Sequence, residues 1–535
     1  MHRAQALEPV VALSNALSGL CRHDAAVAML RTALHRYQDE PRLLSNLAAN
    51  LHASGNIEEV LPIAFMARER SPKSLSAAEL VCAMMNYAPH CTKDEVFAAH
   101  QRYGQVLADE LASQGMKPLR FPSPQSTKPS ARESHAAQRR LRIGFLSADL
   151  RSHAVAYFAW PIIENAGNSN ASISCYHVGL REDDVSTKLR SLVALSGGVW
   201  RHLPTMAAKA LADTIDRDRL DVLIDLSGHT TGHRLPVMAL RPAPLCCTYF
   251  GYPNTTGVPG VDVRLVDSTI DPAGEEPWYS EQLVRLDPLF CVYQPPDDAP
   301  EVSPLPAGDL ASSEARPVTF GSFGSLLKYN TQLINLWSRV LHETPHSRLV
   351  LMHHAMTEQS VRDRIRDRFV SKGIDPARIQ TRPPTQNARG TLAAYSDIDI
   401  ALDTWPYSGT TTVCESLWMG VPMVTLARSG LEATGVDATQ TKVGDSTDRC
   451  AARVTASILR AAGLPEFIAH TQEQYVEIAR TYASPEKRTA LVALRHGLRQ
   501  RVRTSPICDG AGFTSRFVNS LRKGLVTGRR RRDDP

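Results

Sequence analysis

The sequence contains no apolar run of about 18 residues, which is the length that a membrane-spanning helix needs. It also lacks the profile of a signal peptide, because the apolar stretch after Arg3 is short and is interrupted by Glu8, Ser14 and Asn15. We therefore expect a cytoplasmic protein that has no membrane partner.

Cysteine spacings typical of metal sites are missing as well. The ten cysteines are scattered, with one adjacent pair, Cys246 and Cys247, and no C-x-x-C spacing. This distribution predicts reduced thiols, with neither a disulfide framework nor a zinc site. The pair His353 and His354 has no carboxylate or cysteine at a spacing that would complete a metal site.

An excess of one charge is absent too. Sixty basic and 55 acidic residues give a net charge of +5, and no basic stripe is interleaved with aromatic residues. Nucleic acid is therefore not an expected partner. With 535 residues, 43% of them hydrophobic, the chain is long enough for about two to four globular domains.

Residues 1–115 are helix-rich and nearly free of glycine, and they show self-similarity at an offset of 34 residues. The matching pairs are Leu13 and Leu47, Leu17 and Leu51, Asp24 and Glu58, and Ala33 and Ala67. This period is similar to that of tetratricopeptide repeats, and an ordinary helical bundle is the alternative. Because only about two units are visible and about three are needed for independent stability, we expect this region to pack against the rest of the chain.

Two segments read as linkers, 116–140 and 296–316, because they are rich in proline, serine and charge. Between and after them, short apolar strands alternate with helices, which predicts an α/β fold with parallel sheets. We expect one Rossmann-like half over 141–295, a second over 317–523 with terminal helices, and a cleft between them. Residues 524–535 form a basic tail.

The segment from Ser408 to Thr412 joins an apolar strand, Ile398–Leu402, to a helix that begins near Thr410. Free backbone amides and the positive end of the helix dipole would converge there with three threonine hydroxyls, which is typical of a phosphate-binding loop. The alternative is that Thr410, Thr411 and Thr412 only cap the helix.

Other candidates follow predicted strands, whose carboxyl ends line the ligand crevice of open α/β sheets. In the first half, His153 lies on a loop that enters a helix, although taken alone it reads more readily as a satisfied polar residue. In the second half, Lys328 would reach an anion as a point charge, unless it is a solvated helix lysine. Further candidates in the glycine and hydroxyl loops are His229, Gly251, Thr256 and Ser325.

Assembled in order, these segments resemble family-41 glycosyltransferases, the protein O-GlcNAc transferases and their SPINDLY-type relatives. The matching segments, over roughly residues 141–520, are RIGFLSADLRSH, LRPAPLCCTYFGYPNTTG, FGSLLKYN with WSRVL, and LDTWPYSGTTTVCESLWMGVPMVT. The resemblance implies a GT-B architecture and an inverting, metal-independent transfer of GlcNAc from UDP-GlcNAc to Ser/Thr of a polypeptide. It also implies that the helical repeats help to present the acceptor, and that no cofactor is needed besides the nucleotide sugar.

The resemblance also implies roles for individual residues. Lys328 matches the lysine that neutralises the diphosphate, and the stretch from Gly409 through Thr410 and Thr411 to Thr412 matches the phosphate-binding helix start. Glu415 falls where the family has an acidic residue near the ribose, and His153 matches a histidine proposed as general base. The spacing of Asp397 and Asp399 mimics a D-x-D metal motif, but their strand context favours caps at the strand entry.

Some positions depart from the family pattern. Thr410 replaces a histidine of the animal enzymes, as in the bacterial form, which this chain also resembles in having no large domain between its halves. In the nucleoside loop, residues 382–394, Thr391 stands where a histidine is expected. In the segment after the predicted strand Met423–Leu426, Arg428 is displaced from the family's arginine. Three hypotheses therefore remain: a GlcNAc transferase, the same fold with another donor or acceptor such as GDP-fucose or UDP-glucose, and an inactive helical-repeat scaffold.

Overall fold

A computed structural model gives the fold of the chain. It describes residues 2–20, 22–38, 40–119, 121, 139–308, 316–385, 387–427 and 449–530. The chain divides into two compact units, one made of Met1–Val96 and Pro295–Val502 and the other of Phe97–Gln294 and Arg503–Pro535. No helix within the described ranges is both long and apolar enough to cross a membrane.

The N-terminal region is helical, and its helices follow the 34-residue offset. The helices are α1 His2–Gly19, α2 His23–Arg36, α3 Pro41–Ala53, α4 Ile57–Arg70, α5 Leu75–Met85 and α6 Lys93–Ser113. Both bounds of α4 lie 34 residues after those of α2, and α3 ends 34 residues after α1. Ala48, Ala64 and Ala67 are fully buried, as small residues must be where paired helices approach closely.

Helices α2–α4 pack against the second Rossmann-like half, within the same unit. The guanidinium of Arg364 lies 3.1 Å from the carboxylate of Asp24 and donates to the carbonyl of Ser54 at 2.7 Å. Glu58 accepts from the backbone amide of Thr331 at 2.7 Å. The helical region therefore does pack against a later part of the chain, as its small number of repeats predicts.

The unit that begins at Phe97 contains a seven-stranded parallel sheet of order β3-β2-β1-β4-β5-β6-β7. Its strands are β1 Leu141–Ser147, β2 Ala171–His177, β3 Trp200–His202, β4 Val222–Asp225, β5 Leu245–Tyr249, β6 Val263–Val266 and β7 Gln282–Arg285. The accompanying helices are α7 Ala154–Asn165, α8 Asp184–Leu195, α9 Ala208–Arg217 and α10 Leu235–Ala239.

The other unit contains a six-stranded parallel sheet of order β10-β9-β8-β11-β12-β13. Its strands are β8 Thr319–Ser322, β9 Arg348–Met352, β10 Ile379–Arg382, β11 Ile400–Leu402, β12 Met423–Leu426 and β13 Ile468–Ala469. Its helices are α11 Thr331–Glu343, α12 Gln359–Val370, α13 Ala388–Ala393, α14 Thr411–Trp418, α15 Cys450–Ala461, α16 Gln472–Ala483 and α17 Arg488–Arg503.

In each sheet the first strand lies between the second and the fourth: β1 lies between β2 and β4, and β8 lies between β9 and β11. The order of the strands therefore reverses at β1 and at β8. Such switch points open a crevice at the carboxyl ends of the strands, where doubly wound sheets bind ligands. Two doubly wound parallel sheets behind a helical region form the GT-B type architecture that the sequence predicts.

The last helix, α18 Gly510–Arg530, corrects the predicted domain boundaries. The sequence assigns terminal helices up to residue 523 to the second half. In the structure, Phe513, Phe517 and Leu521 instead join the core of the first sheet, and α18 packs on α7 and β5. Helical periodicity shows that a face is apolar, but it does not show which sheet that face covers.

The predicted linkers and tail are only partly described. Residues 120 and 122–138 of the first linker and 309–315 of the second lie outside the described residues, and so do 531–535 of the tail. The segment predicted as a basic tail from residue 524 is helical as far as Arg530.

Arg495 on α17 holds together the segments that precede β11. Its side chain is fully buried and donates to the carbonyl of Ser303 at 2.8 Å, to that of Ile398 at 2.5 Å and to that of Tyr395 at 3.2 Å. Burial lowers the pKa of Arg495 to about 10, and Asp399 partly opposes that shift. The guanidinium therefore stays charged at neutral pH and satisfies carbonyls that water cannot reach.

We predict that Arg495→Met lowers the free energy of unfolding by about 3 kcal/mol, because it leaves several buried carbonyls without donors. Urea unfolding followed by tryptophan fluorescence measures this change. Arg501→Met on the exposed side of the same helix is the matched control, with an expected loss below about 0.5 kcal/mol. Equal losses for the two variants would contradict the assigned role of Arg495.

Candidate functional site

Asp403 organises the loop that follows β11. Its buried carboxylate accepts from the backbone amide of Gly409 at 3.1 Å, from the amide of Thr404 at 2.8 Å and from the hydroxyl of Thr425 at 2.7 Å. Burial raises the pKa of Asp403, and the hydrogen bonds from Thr425 and Thr404 together with the charge of Lys328 act against that shift. One carboxylate thus joins the beginning of the loop to its end and to strand β12.

Helix α15 supports the same loop from behind. The hydroxyl of Ser408 donates to the carbonyl of Ala451 at 2.8 Å, and the hydroxyl of Thr455 donates to the carbonyl of Gly409 at 2.8 Å. A side chain at position 409 would put its Cβ 2.3 Å from the hydroxyl oxygen of Thr412, so glycine permits the close turn. The loop is therefore fixed on two sides before any ligand binds.

The loop ends at the start of α14, which runs from Thr411 to Trp418. Thr410 occupies the N-cap position, and its side chain makes no capping hydrogen bond there. The first amides of a helix have no carbonyl within the helix to donate to, so they are available to an anion, as is the positive end of the dipole. Thr410, Thr411 and Thr412 are all partly exposed. This geometry favours the phosphate-binding interpretation over the helix-cap interpretation.

Lys328 comes to this loop from the neighbouring strand. It ends the short 3₁₀ turn Leu326–Lys328 that follows β8, and its ammonium donates to the carbonyl of Ser408 at 2.8 Å. The nitrogen also lies 4.1 Å from the centre of the Tyr407 ring. Burial lowers the pKa of Lys328 to about 8, and Asp403 partly opposes the shift. At neutral pH the ammonium is charged, and among the described residues it uses one of its three N–H donors.

Two further predicted residues lie in the same unit. Ser325 precedes the turn that carries Lys328, and its side chain is partly exposed. Glu415 lies four residues after Thr411 on α14, so the two side chains share one face of the helix. Burial raises the pKa of Glu415 to about 7. The second half thus combines a cation, a helix start and a carboxyl group at one sheet edge.

The first half has its own cavity, of about 820 Å³, at the carboxyl ends of its strands. Its polar and glycine lining includes Asp149, Arg151, His153, Arg181, Thr230, Thr231, Arg234 and Gly251. Gly251 is required by packing, because a Cβ there would lie 1.9 Å from the carbonyl oxygen of Leu226.

His153 begins helix α7 and lines this cavity. Its Nδ1 accepts from the backbone amide of Val155 at 3.3 Å and lies 3.8 Å from the carboxylate of Asp149. Burial lowers the pKa of His153, with Asp149 acting against that shift and Arg151 adding to it. A neutral imidazole whose Nδ1 accepts carries its proton on Nε2. In this state Nε2 of His153 is an N–H donor. Nδ1 would have to lose its hydrogen bond from the Val155 amide before it could take up a proton.

His229 and Thr256, predicted as binding residues, do not line the cavity. Nε2 of His229 lies 2.8 Å from the carbonyl oxygen of Thr256, and its ring packs against those of Tyr103 and Tyr252. The amide of Thr256 donates to Glu281 at 2.7 Å. The sequence shows that the 251–257 loop is rich in glycine and hydroxyls, but not that it turns toward helix α6. The structure thus gives these two residues a packing role.

The two aspartates with D-x-D spacing, Asp397 and Asp399, have separate structural roles. Asp399 is buried and accepts from the backbone amides of Thr319 at 2.7 Å and Ala307 at 3.0 Å. Asp397 is exposed and pairs with Arg382 at 2.8 Å. Asp399 therefore caps the entry to the sheet, as its strand context predicts.

Of the nucleoside loop, residues 382–394, the structure describes all but residue 386. The hydroxyl of Thr391 lies 3.2 Å from the hydroxyl of Thr385 and donates to the carbonyl of Asn387 at 3.2 Å. Thr391 lies on helix α13 and bonds to residues of its own segment. The segment that carries Arg428 lies outside the described residues.

Sequence reasoning missed three residues that shape this site: Asp403, Tyr407 and Thr455. An aspartate and a threonine directly after a buried strand were a usable signal for Asp403. No local signal identifies Thr455, which lies 46 residues after Gly409 in the sequence and meets it only in the folded chain.

Comparisons with known proteins agree with this architecture. The profile described as "Glycosyl transferase family 41" matches residues 98–294 and 312–517. A Petunia hybrida protein named "Probable UDP-N-acetylglucosamine--peptide N-acetylglucosaminyltransferase SPINDLY" is 35% identical over 451 residues, which is 84% of this chain and 44% of that protein. An Arabidopsis thaliana protein of the same name is 33% identical over 84% of this chain and 45% of its own length. The chain thus spans less than half the length of these curated relatives.

A solved structure is similar over nearly the whole chain. It is a mutant of the O-GlcNAc transferase of Thermobaculum terrenum, with a TM-score of 0.83 and 30% identity, covering 97% of this chain and 91% of that one. The profile match covers most of the sequence, and all strands of both parallel sheets fall within it. The chain belongs to glycosyl transferase family 41.

Proposed function

We propose that this chain is an inverting, metal-independent glycosyltransferase that moves GlcNAc from UDP-GlcNAc to serine or threonine hydroxyls of a polypeptide. The names of the SPINDLY relatives and of the Thermobaculum terrenum enzyme support the donor and the acceptor class. The observation that carries the proposal is the contact of Lys328 with the carbonyl of Ser408, beside the start of α14. That contact joins a cation to a set of backbone amides suited to a diphosphate.

In the proposed reaction, the acceptor hydroxyl attacks the anomeric carbon from the face opposite the diphosphate. One C–O bond forms as the bond to the diphosphate breaks, so the configuration at that carbon inverts. Negative charge grows on the departing diphosphate, and the Lys328 ammonium and the amides of Thr411 and Thr412 would stabilise it. Because Asp403 and α15 already fix the loop, little reorganisation is needed at that moment, which is the condition for a large electrostatic contribution.

Glu415 is proposed to contact the ribose. A carboxyl group whose pKa is about 7 accepts a hydrogen bond from a ribose hydroxyl when ionised and donates one when protonated. Its place on the same helix face as Thr411 supports a position next to the phosphates.

The cavity of the first half is proposed to take acceptor or sugar groups. His153 would contribute an N–H donor at Nε2. The hydroxyl of the acceptor is a weak acid, so it gives up its proton late in the reaction, to an oxygen of the departing diphosphate. In this proposal the helical repeats help to present the acceptor in the cytoplasm, and no cofactor is needed beyond the nucleotide sugar.

We predict that Lys328→Ala lowers the turnover of the sugar nucleotide by about 10²–10³-fold, because one preorganised charge is lost at the leaving group. Turnover of UDP-GlcNAc with an acceptor polypeptide, followed by release of UDP, measures the change. Lys372→Ala, at an exposed lysine of the same half, is the control and should retain the wild-type rate. Robust and equal rates for Lys328→Ala and the wild type would refute the assignment of the site.

A different donor is the second candidate, because Thr391 stands where the resemblance leads us to expect a histidine and its hydroxyl bonds to neighbours in the same segment. Thermal-shift measurements with UDP, UDP-GlcNAc, UDP-glucose, GDP and GDP-fucose separate the candidates. A ligand at about 100 times its Kd should stabilise the fold by roughly 2.7 kcal/mol. We predict a shift with UDP and UDP-GlcNAc. A shift with GDP compounds alone would instead select the second candidate, and no shift with any of them would favour the inactive scaffold.

A further inference from the structure

An aromatic pair links the helical region to Lys328. The ring of Tyr407, whose face receives the Lys328 ammonium, also packs against the ring of Tyr87, with 5.1 Å between the two ring centres and 40° between their planes. Tyr87 lies in the turn between α5 and α6, more than 200 residues before Lys328 in the sequence. The Tyr407 ring thus lies between Tyr87 of the helical region and the ammonium of Lys328 in the proposed diphosphate site.

The turn that carries Tyr87 is held firmly. On the side of the helical region, the ring of His52 meets the ring of Tyr87 edge-on, with 4.8 Å between ring centres. The guanidinium of Arg449 donates to the carbonyls of Met85 and Ala88, at 2.8 and 2.7 Å. Two buried, charge-assisted hydrogen bonds to carbonyls on either side of Tyr87 fix the position of its ring.

Arg449 also belongs to the element that supports the phosphate loop. It is the residue directly before α15, whose Ala451 and Thr455 bond to Ser408 and Gly409. Arg449 thus holds the turn of the helical region, and the helix that directly follows Arg449 holds the loop after β11. The relative placement of Tyr87 and Tyr407 is therefore set from one short segment of the chain.

We propose that Tyr87 is a positioning residue for the diphosphate site, and that the helical region completes this site as well as presenting the acceptor. This inference rests on the proposed function. The packed Tyr87 ring restrains Tyr407 with its face toward the Lys328 ammonium, where a cation is attracted by the aromatic ring. Because Tyr87 holds Tyr407 there, it also helps the Tyr407 ring to cover one side of the ammonium. Without Tyr87, the side chain of Tyr407 could adopt more rotamers. The Lys328 ammonium would then no longer be held in one position before the nucleotide binds.

The test compares the affinities of UDP and GDP for full-length variants by calorimetry at pH 7. We predict that Tyr87→Leu weakens the binding of whichever nucleotide the wild type binds by about tenfold. Tyr87→Phe, which keeps the ring, should bind within about twofold of the wild type. Tyr37→Leu makes the same change at a buried tyrosine elsewhere in the helical region, and it should leave the affinity unchanged.

A double-mutant cycle with Tyr407→Leu separates positioning from general loss of structure. If Tyr87 acts through Tyr407, the double variant binds about as well as Tyr407→Leu alone, because the second change has nothing left to disturb. If the two losses in affinity multiply, the residues act independently and the proposal is overturned. Should Tyr87→Leu fail to fold, Tyr87→Met, whose flexible side chain adapts to an irregular gap but has no ring, takes its place in the same cycle.

The pH profile adds a readout that a purely structural role would not change. Nucleotide affinity of the wild type should fall as the pH rises through about 8, because Lys328 is charged below its pKa and neutral above it. In Tyr87→Leu, water reaches the ammonium and the fall should move to higher pH. A wild-type affinity and profile in Tyr87→Leu would overturn the inference, whereas a wild type that binds neither nucleotide would overturn the proposed function itself.

Discussion

The contact between the Lys328 ammonium and the carbonyl of Ser408 is the interaction on which the proposed chemistry depends. It brings a cation from the turn after β8 to the loop after β11, across the switch point of one sheet. Burial makes the ammonium easier to deprotonate, and Asp403 partly compensates. A lysine in this environment is charged at neutral pH but poorly solvated. A bound diphosphate would therefore supply the stabilisation that water gives to an exposed lysine. The fold keeps the charge in place before the ligand is present, which is what electrostatic preorganisation requires.

The helical region has a wider part in this arrangement than the sequence indicates. Ion pairs such as Asp24 with Arg364 bind it to the second half, and the backbone around Tyr87 is held by Arg449. A helical region this small buries few of its apolar faces alone, and it packs on the second Rossmann-like half. The same packing that stabilises the repeats delivers an aromatic ring to the back of Tyr407. Stability and function are thus served by one set of contacts.

The sequence predicted the features that local patterns determine. Alternating strands and helices, the 34-residue offset and the turn at Ser408 and Gly409 depend on neighbouring residues, and the fold contains them where they were expected. The sequence could not predict features that depend on tertiary placement. His229 and Thr256 lie in a glycine-hydroxyl context that suits a binding loop, yet the loop faces helix α6. Helix α18 has an apolar face that any sheet would accept, and only the folded chain shows that it covers the first one.

The most direct test of the central claim is the pKa of Lys328 itself, with and without nucleotide. A ¹³C NMR titration of the lysine side chains, with Lys328→Met to assign the resonance, measures it. The account predicts a midpoint near pH 8 in the free protein, because burial disfavours the charged ammonium. It predicts a clearly higher midpoint with saturating UDP, because a diphosphate beside the ammonium stabilises its charge. An identical midpoint in the presence and absence of bound UDP would contradict the placement of the diphosphate at Lys328.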